Sequence, residues 1–552
     1  MKISMKKPTI IQSLKQYSFQ RLQKEVFAGI MVAIVALPLS IALSIASGVN
    51  PEIGLYTGIV GGIVVAIFSG SPVQIGGITA ATVMTVNMII NEYGMIGLAI
   101  ATMLAGVLLI IMGCLRLGEL LKYIPITLTT GFTAGIAIGI FTSQIKEFFG
   151  LTVENMPINI LEKWIVFAKA SETLTPLAVV IGSASIVILL VLPRITKKIP
   201  ASIGMLVIMT VIVQIGKLQV NTVASVYGEL PSNFPLLQMP QFSISMIRDL
   251  MMHSFTLAFL VAIVSLLSCV VTDGMIGEKH DSNTELIAQG LANVVCGLFG
   301  AAPIAGAVAR SKSGIDNGGR SQVVGVVHCI VLVFFLLVMM PLIGYLPMPS
   351  LSGLLMVIAY QMINWKEIRY AVSSTTKADD IILLVTIAMA ILFDLMVAIV
   401  MGFMASTLFF MKRMSDETKV DRWRRIEEEV EGNTEHLREL PHHTEVYEIN
   451  GPLFFAAAEK ILDTKPREGC KYLILRMGAV NAVDVTAMHK LEYVYEYCKQ
   501  QGTTIILSHV QEQPLNEMKQ TGFLKLIGED NICTYLEDSL MRVEELEGNE
   551  NK

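Results

Sequence analysis

The sequence predicts a polytopic α-helical membrane protein followed by a small cytoplasmic α/β domain, and two observations support this fold class. The chain has 552 residues, of which 53% are hydrophobic and 16% charged, and its mean hydropathy is +0.62. That much apolar surface needs lipid to cover it. Residues 1–411 carry 23 Lys+Arg and 19 Asp+Glu, whereas residues 412–552 carry 18 and 27. A membrane domain, residues 26–411, is therefore followed by an acidic soluble domain.

Fourteen apolar segments of helical length follow residues 1–25, a Lys-rich segment. The first covers about residues 26–47, and the others are centred near residues 61, 84, 105, 134, 184, 208, 263, 291, 311, 331, 356, 386 and 402, with those near 84 and 311 short. With the N-terminus inside, the inside segments up to residue 411 hold 18 Lys+Arg and the outside loops hold 5. The positive-inside rule thus predicts a plasma-membrane protein with both termini cytoplasmic.

Two stretches interrupted by Gly and Pro occupy matching places in the two halves. They are residues 69–82, SGSPVQIGGITAAT, and residues 297–311, GLFGAAPIAGAVARS. Each should end an extended approach and begin a half-helix whose unpaired N–H groups and positive dipole end point at a shared site, which suits an anion. Paired interruptions predict two inverted repeats of seven spans, about residues 26–216 and 250–411, and hence a transporter.

Arg310 lies near the end of the second interrupted stretch, directly after its small-residue turn. A cation beside a membrane half-helix is costly and usually faces a cavity or a partner group. The functional interpretation is that Arg310 adds positive potential to an anion site built from N–H groups near Thr79, Ala80 and residues 307–310. The alternative is an anchor at the cytoplasmic end of the span, like the nearby Lys312.

Several motifs along nearly the whole chain resemble the sulfate permease (SulP) family of anion transporters and exchangers. They are EVFAGIMVAIVALP at 25–38, GLY at 54–56, GFTAG at 131–135, NTEL at 283–286, PIAGAVARS at 303–311 and GGR at 318–320. The resemblance implies a core domain that moves against a gate domain, with substrate held between the N-termini of the third and tenth helices and with the first and eighth helices lining the pocket. Carried onto this sequence, the implied substrate-binding residues are Leu39, Leu43, Thr79, Ala80, Ser265, Ser268, Ala307, Val308, Ala309, Arg310 and Ser311.

Two positions depart from the pattern of this family. One is Ile78, where relatives often have Pro, although a half-helix can begin without it. Many relatives place an acidic residue on the eighth helix, where it is useful for binding sodium or a proton, but Val264 stands at the matching position here. This departure argues against cation coupling through a carboxylate. Asp273 lies nine residues later, near the cytoplasmic end, and is interpreted as a structural cap or network residue.

The C-terminal region alternates strands and helices, which predicts a small α/β sandwich over residues 444–541, after a linker at 412–443 and before an acidic tail at 542–552. It resembles the STAS domain that ends most members of the family, which implies roles in dimerisation, trafficking or regulation by a cytoplasmic partner. Bacterial regulatory relatives phosphorylate a Ser directly after the Asp matching Asp484. Val485 stands there, which leaves Thr486 as a weak candidate.

The sequence therefore predicts a secondary active anion transporter of the sulfate, bicarbonate, chloride or small dicarboxylate class that works by alternating access. A homodimer is also expected. It contains neither a nucleophile with a base and orienter nor an HExxH spacing, and its seven cysteines form no CxxC pair, so no enzyme activity, metal or cofactor is expected. No basic patch with interleaved aromatics suggests nucleic acid. Two alternatives stay open, a proton-coupled nucleobase transporter of the same architecture and a membrane-anchored STAS regulator.

Overall fold

The computed structural model describes residues 18–550 except 124, 154–155, 158, 197–199, 238, 241–242, 375–376, 394, 424–425, 428–436 and 439. The chain divides into two compact units, Met1–Phe403 and Met404–Lys552. Most of the predicted N-terminal segment, residues 1–25, lies outside the described residues. The division between the units falls inside the last helix of the membrane unit, close to the predicted boundary at residue 411.

Helices occupy every predicted span position. Spans 1 and 2 are Phe19–Ala46 and Pro51–Phe68, and spans 3 and 4 form one element, Ala80–Cys114, that Gly94 breaks with φ 67° and ψ −168°. The later spans, 5 to 14, are Ile126–Phe149, Pro176–Ile195, Ala201–Ile215, Ile244–Ile276, Ser282–Leu298, Val308–Asp316, Val323–Ile343, Met348–Met362, Lys377–Leu392 and Leu395–Glu417. Eight helices in the described part of the chain are long and apolar enough to cross a membrane, and the number of fourteen crossings stays a prediction.

The spans pack into two bundles. Spans 1–4 and 8–11 form what we call the core bundle, in which span 9 packs along spans 3 and 4 and span 11 packs along span 1. Spans 5–7 and 12–14 form the gate bundle, in which span 12 packs against spans 5 and 6 and span 13 against span 5. The four spans that the resemblance places around the substrate, 1, 3, 8 and 10, all lie in the core bundle.

Facing glycines allow spans 4 and 9 to approach closely. A Cβ atom at Gly106 would lie 2.6 Å from the carbonyl oxygen of Gly290, and a Cβ atom at Gly290 would lie 2.6 Å from that of Gly106. Gly297 extends the same contact along span 9, since a Cβ atom there would lie 2.6 Å from the carbonyl oxygen of Ala99. Because small residues let membrane helices pack backbone to backbone, this stripe fixes span 9 against span 4.

The two interrupted segments meet as short antiparallel strands inside the core bundle. Strand β1 is Gly76–Gly77 and strand β2 is Ala305–Gly306, with Gly76 opposite Gly306. Span 3 begins at Ala80 and span 10 at Val308, so each helix starts a few residues after its strand. The predicted arrangement of extended approach and half-helix in each repeat is confirmed.

The second unit is built on a five-stranded sheet. The strands of this unit are β3 Lys419–Trp423, β4 Ile426–Glu427, β5 Leu437–Arg438, β6 Thr444–Asn450, β7 Tyr472–Ala479, β8 Thr504–Ser508 and β9 Ile532–Cys533. The order in the sheet is β3-β6-β7-β8-β9, antiparallel between β3 and β6 and parallel elsewhere. Helices Val485–Gln500, Glu512–Thr521 and Leu536–Glu550 complete the α/β fold that the alternating pattern predicts.

Two details of this unit differ from the expected segment boundaries. Strand β3 lies within residues 412–443, which were expected to be linker. Its sequence KVDRW carries no apolar run because it is an edge strand whose side chains are mostly exposed. Likewise, the helix Leu536–Glu550 continues through most of the expected tail, residues 542–552, and buries Val543 against the sheet.

Candidate functional site

Arg310 joins the two repeats where strands β1 and β2 meet. It is fully buried, its Nη1 donates to the carbonyl oxygen of Gly76 (3.1 Å), and its Nη2 donates to Ser40 Oγ on span 1 (3.0 Å) and the carbonyl oxygen of Ile78 (3.4 Å). Gly77 leaves room for it, since a Cβ atom there would lie 1.1 Å from Nη1. We call the place where strands β1 and β2 pair the crossing. No partner of Arg310 among the described residues is a carboxylate, so its charge stays uncompensated there.

A buried polar network braces the same crossing from span 8. Ser268 Oγ donates to Gln74 Oε1 (2.9 Å), Gln74 Nε2 donates to the carbonyl oxygen of Ser265 (3.1 Å), and Ser265 Oγ accepts from the Gly306 N–H (2.9 Å). Ser311 Oγ also donates to Gln74 Oε1, at 3.4 Å. The hydroxyls of Ser265, Ser268 and Ser311 therefore hold the interrupted segments in place.

The two half-helices begin without side-chain caps. Thr79 and Ala307 occupy the N-cap positions with extended backbones, and neither side chain makes a capping hydrogen bond. The N–H groups of residues 80–81 and 308–309 donate to none of the described residues, and Thr79 Oγ1 is buried without a partner there. Because the first N–H groups of a helix carry its positive dipole end, two such ends are free to hold an anion.

The predicted site residues differ in accessibility. Ala80, Ala307 and Val308 are partly exposed and Ala309 is exposed, whereas Thr79 is 7% exposed. Three of the four residues with free N–H groups, 80, 308 and 309, are therefore accessible at the surface of the core bundle, whereas Ala81 and Arg310 are buried.

The two leucines of the predicted set lie on span 1. Leu43 is buried and Leu39 partly buried, and both pack in the cluster that contains Ile78 and Ala81. Span 10 contacts spans 1 and 8, and span 8 also contacts strand β2 and the first turn of span 3. The structure thus brings all four predicted elements together, with Leu39 and Leu43 supplying the apolar side.

Span 9 positions both extended approaches from behind. Glu285 Oε2 accepts from Ser69 Oγ (2.5 Å) and from the Gly70 N–H (3.1 Å) before strand β1. Eight residues later, Asn293 Nδ2 donates to the carbonyl oxygen of Ile304 (2.8 Å), and Asn293 Oδ1 accepts from the Ile304 N–H (3.1 Å) before strand β2. One face of span 9 therefore holds both halves of the crossing.

Sequence reasoning missed Ser40, Gln74 and Asn293. Gln74 carries a detectable signal, because it is the longest polar side chain within the first interrupted segment. Nothing local singles out Ser40, since Ser44 recurs one turn later on the same span.

Val264 and Asp273 take the places that the sequence predicts for them. Val264 packs against the apolar cluster of the core bundle. Asp273 Oδ2 accepts from the backbone N–H of His280 (3.0 Å) and contacts its Nδ1 (2.7 Å). Asp273 is accordingly a network residue between spans 8 and 9.

A cavity of about 1100 Å³ lies between the bundles at the end that the predicted topology places outside. Spans 1, 3 and 8 line it from the core bundle and spans 5, 12 and 14 from the gate bundle. In the wall of this cavity, Met84 of span 3 packs on Gly139 of span 5, where a Cβ atom would lie 2.5 Å from Met84 Sδ. Spans 3 and 5 therefore touch at this point, one turn after Ala80.

Two family models match the chain. The sulfate permease family matches residues 22–386, and the STAS domain matches residues 437–539. The putative sulfate transporter YvdB of Bacillus subtilis is 37% identical over 525 residues, which are 94% of this chain and 97% of that protein. The bicarbonate transporter BicA of Picosynechococcus sp. is 27% identical over 556 residues, 96% of each chain.

Solved structures agree with the fold. The murine Slc26a9 anion transporter in the inward-facing state superposes with a TM-score of 0.86 at 18% identity, covering 99% of this chain and 96% of that one. The transmembrane domain of a cyanobacterial bicarbonate transporter, BicA, superposes with a TM-score of 0.63 at 27% identity, covering 69% of this chain and 98% of that one. The predicted membrane fold with a C-terminal STAS domain is confirmed.

Proposed function

This chain belongs to the sulfate permease family, and on that premise we propose that it is a secondary active transporter of small anions that works by alternating access. Members of the family are transporters and not enzymes. The chain is a multi-pass membrane protein, and its relatives are named for sulfate and bicarbonate. Both oxyanions suit the chemistry of the crossing.

One observation carries the proposal: two uncapped half-helices begin at the same crossing beside an uncompensated arginine. The N–H groups of residues 80–81 and 308–309 supply directional donors, and Arg310 supplies a full positive charge behind them. Backbone N–H groups and helix dipoles bind negative charge with little preference for its chemical type. Sulfate, bicarbonate, chloride and small dicarboxylates are therefore all candidate substrates, with the oxyanions favoured by the names of the relatives.

We propose that Thr79, Ala80, Ala307, Val308 and Ala309 face the anion. Arg310 acts on it electrostatically, because its two Nη atoms are already hydrogen-bonded to protein groups. Ser265, Ser268 and Ser311 position the crossing through Gln74. Leu39 and Leu43 would exclude water from the side of span 1.

Alternating access follows from where the two bundles touch. The anion site lies on the core bundle, and the Met84–Gly139 contact joins that bundle to span 5 of the gate bundle one turn away. Sliding or rotating the core bundle would break this contact and connect the site to the outer cavity.

Both alternative functions lack supporting residues. A nucleobase carrier needs a carboxylate near the half-helices, but Val264 is apolar and Asp273 is bound to His280. A membrane-anchored regulator would not need an intact crossing, and here Arg310 and Gln74 keep it fully braced.

We also propose a homodimer in the plasma membrane with both termini cytoplasmic and a cytoplasmic regulator that contacts the STAS domain. The membrane orientation rests on the distribution of Lys and Arg. In the STAS domain, Asp484 accepts from the N–H groups of Phe455 (2.7 Å) and Ala487 (2.9 Å) and so caps the following helix, while Val485 is 61% exposed. A regulator would therefore meet an apolar side chain at the position that is phosphorylated in the regulatory relatives.

The test is uptake into proteoliposomes of radiolabelled sulfate, bicarbonate and fumarate, each with and without a sodium or proton gradient and with unlabelled anion preloaded inside. We expect uptake of at least one anion that is accelerated by anion inside. Acceleration by a cation gradient instead would mean that a residue other than Val264 holds a coupling ion. Protein that is folded and reconstituted but carries none of the three would contradict the proposal.

A further inference from the structure

The outer cavity contains a buried lysine that has no partner among the described residues. Lys163 lies on the short helix Ile160–Lys169, between spans 5 and 6, and lines the cavity. Its residue surface is 8% exposed, and it makes no hydrogen bond or ion pair with the part of the chain that the structure describes. Burial alone lowers the pKa of Lys163. The Nζ atom is not among the fully buried polar atoms, so this ammonium group is accessible at the wall of the cavity. A cation that faces a cavity without an acceptor in its wall is available to bind an anion.

The charges that line the cavity have a net positive sum. The described wall carries two cationic side chains, Lys146 and Lys163, and one carboxylate, Glu147. Its remaining titratable side chains are Tyr227 and His253. Burial, with a contribution from Glu147, raises the pKa of Tyr227 to about 12. The phenol therefore stays protonated at neutral pH and is available as a donor.

Amide groups extend the donor set onto span 3. Asn87 and Asn91 line the cavity, and Asn91 Nδ2 donates to Asn87 Oδ1 (3.0 Å). Only the oxygen of the Asn87 amide takes part in this bond, which leaves the N–H₂ group of Asn87 out of it. An ammonium group, an amide and a phenol together are suited to a small oxyanion, since charge-assisted hydrogen bonds are the strongest that such groups form.

We infer that this cavity is a second anion subsite, in which Lys163 is the cationic group that receives a small oxyanion on the outer side of the Met84–Gly139 contact. The inference rests on the proposed function, because it concerns the same substrate on its way to the half-helices. The subsite raises the local concentration of anion at the closed contact and so lowers the KM for anion offered from outside. It has no role for anion offered from inside.

The experiment measures initial rates of radiolabelled sulfate and bicarbonate uptake by right-side-out vesicles, and efflux from the same vesicles after loading. Lys163→Gln is compared with Lys163→Arg and with the control Lys169→Gln, which removes an exposed lysine from the same short helix. We expect Lys163→Gln to raise the KM for uptake about five- to tenfold, the size of a lost charge-assisted hydrogen bond in a partly hydrated site. The KM for efflux should not change, and both Lys163→Arg and Lys169→Gln should remain close to wild type.

A second variant and a lipid comparison make the test decisive. Asn87→Ala removes the amide from another wall of the cavity and should raise the same KM two- to threefold. Uptake in vesicles of phosphatidylcholine alone distinguishes the occupant, because a lipid phosphate would make the effect of Lys163→Gln depend on added phosphatidylglycerol. An unchanged uptake KM in both variants, or an effect seen only with phosphatidylglycerol, would overturn the subsite. Absence of anion flux in wild type would instead overturn the proposed function.

Discussion

The two interrupted segments share a backbone arrangement but differ in side-chain chemistry. Each runs from a short strand through an extended cap residue, Thr79 or Ala307, into a helix without a side-chain cap. The first carries a hydroxyl at its cap, whereas the second carries Arg310, whose guanidinium donates to the carbonyl oxygens of Gly76 and Ile78 in the first. The repeat thus positions two similar helix dipole ends. Arg310, from the second segment, places its charge against the backbone of the first.

This difference explains why each of the two segments needs a glycine at the crossing. Gly77 lies against the guanidinium of Arg310, and Gly306 lies against the amide of Gln74, where a Cβ atom would be 1.5 Å from Nε2. Both positions accommodate a long polar side chain that reaches in from another segment. The two strands can therefore keep a similar backbone, although their neighbouring side chains differ, because glycine stands at both positions.

The largest effect is expected from closing the space beside Arg310. Gly77→Ala puts a methyl group 1.1 Å from Nη1 and must displace either the guanidinium or strand β1. We expect transport to be lost and the free energy of unfolding to fall by about 1–3 kcal/mol, as overpacking of an interior does. Anion flux and thermal unfolding of the purified protein measure the two effects.

The matched control is Gly274→Ala on span 8, where a Cβ atom would have open space. It should keep both flux and stability. Equal flux in the two variants would mean that transport tolerates displacement of the Arg310 guanidinium, and it would contradict the need for glycine at position 77.

A loss of stability of similar size, but confined to one approach, is expected from changing the two supporting side chains of span 9 one at a time. Asn293→Ala removes both hydrogen bonds to Ile304 before strand β2, whereas Glu285→Gln weakens those to Ser69 and Gly70 before strand β1. Each should cost about 1–3 kcal/mol of stability, because buried polar groups lose their partners. Hydrogen exchange should show faster opening of the released approach only, and simultaneous opening of both would contradict independent support of the two halves.

The smallest effect is expected at Thr79. Its Oγ1 has no partner among the described residues, so Thr79→Val removes a hydroxyl that the resting structure does not use. We expect unchanged thermal stability and a KM for anion that is raised about two- to fivefold, the value of one hydrogen bond to a charged ligand in a wet site. A loss of stability without a change in KM would assign Thr79 to the fold and not to the anion.

Much of this arrangement could be read from the sequence because it depends on local chemistry. Gly and Pro mark the two interruptions, Arg310 stands out as a cation in an apolar segment, and the charge difference separates the two units. The partners of Arg310 could not be read in this way, since Ser40 lies 270 positions away and Gly76 lies 234 positions away. Strand β3 also escaped prediction, because an exposed edge strand needs no apolar pattern.

The most direct test of the central claim is the anion affinity of Arg310→Met, measured by isothermal titration with sulfate and bicarbonate on purified protein. The control is Lys312→Ala, which removes an exposed cation two residues later. We predict that Arg310→Met raises the Kd at least about tenfold for each anion that wild type binds, as expected for a lost interaction with a charged group, and that the control leaves the Kd unchanged. A Kd that Arg310→Met leaves unchanged for every such anion, in protein that unfolds at the wild-type temperature, would contradict the assignment of the crossing as the anion site.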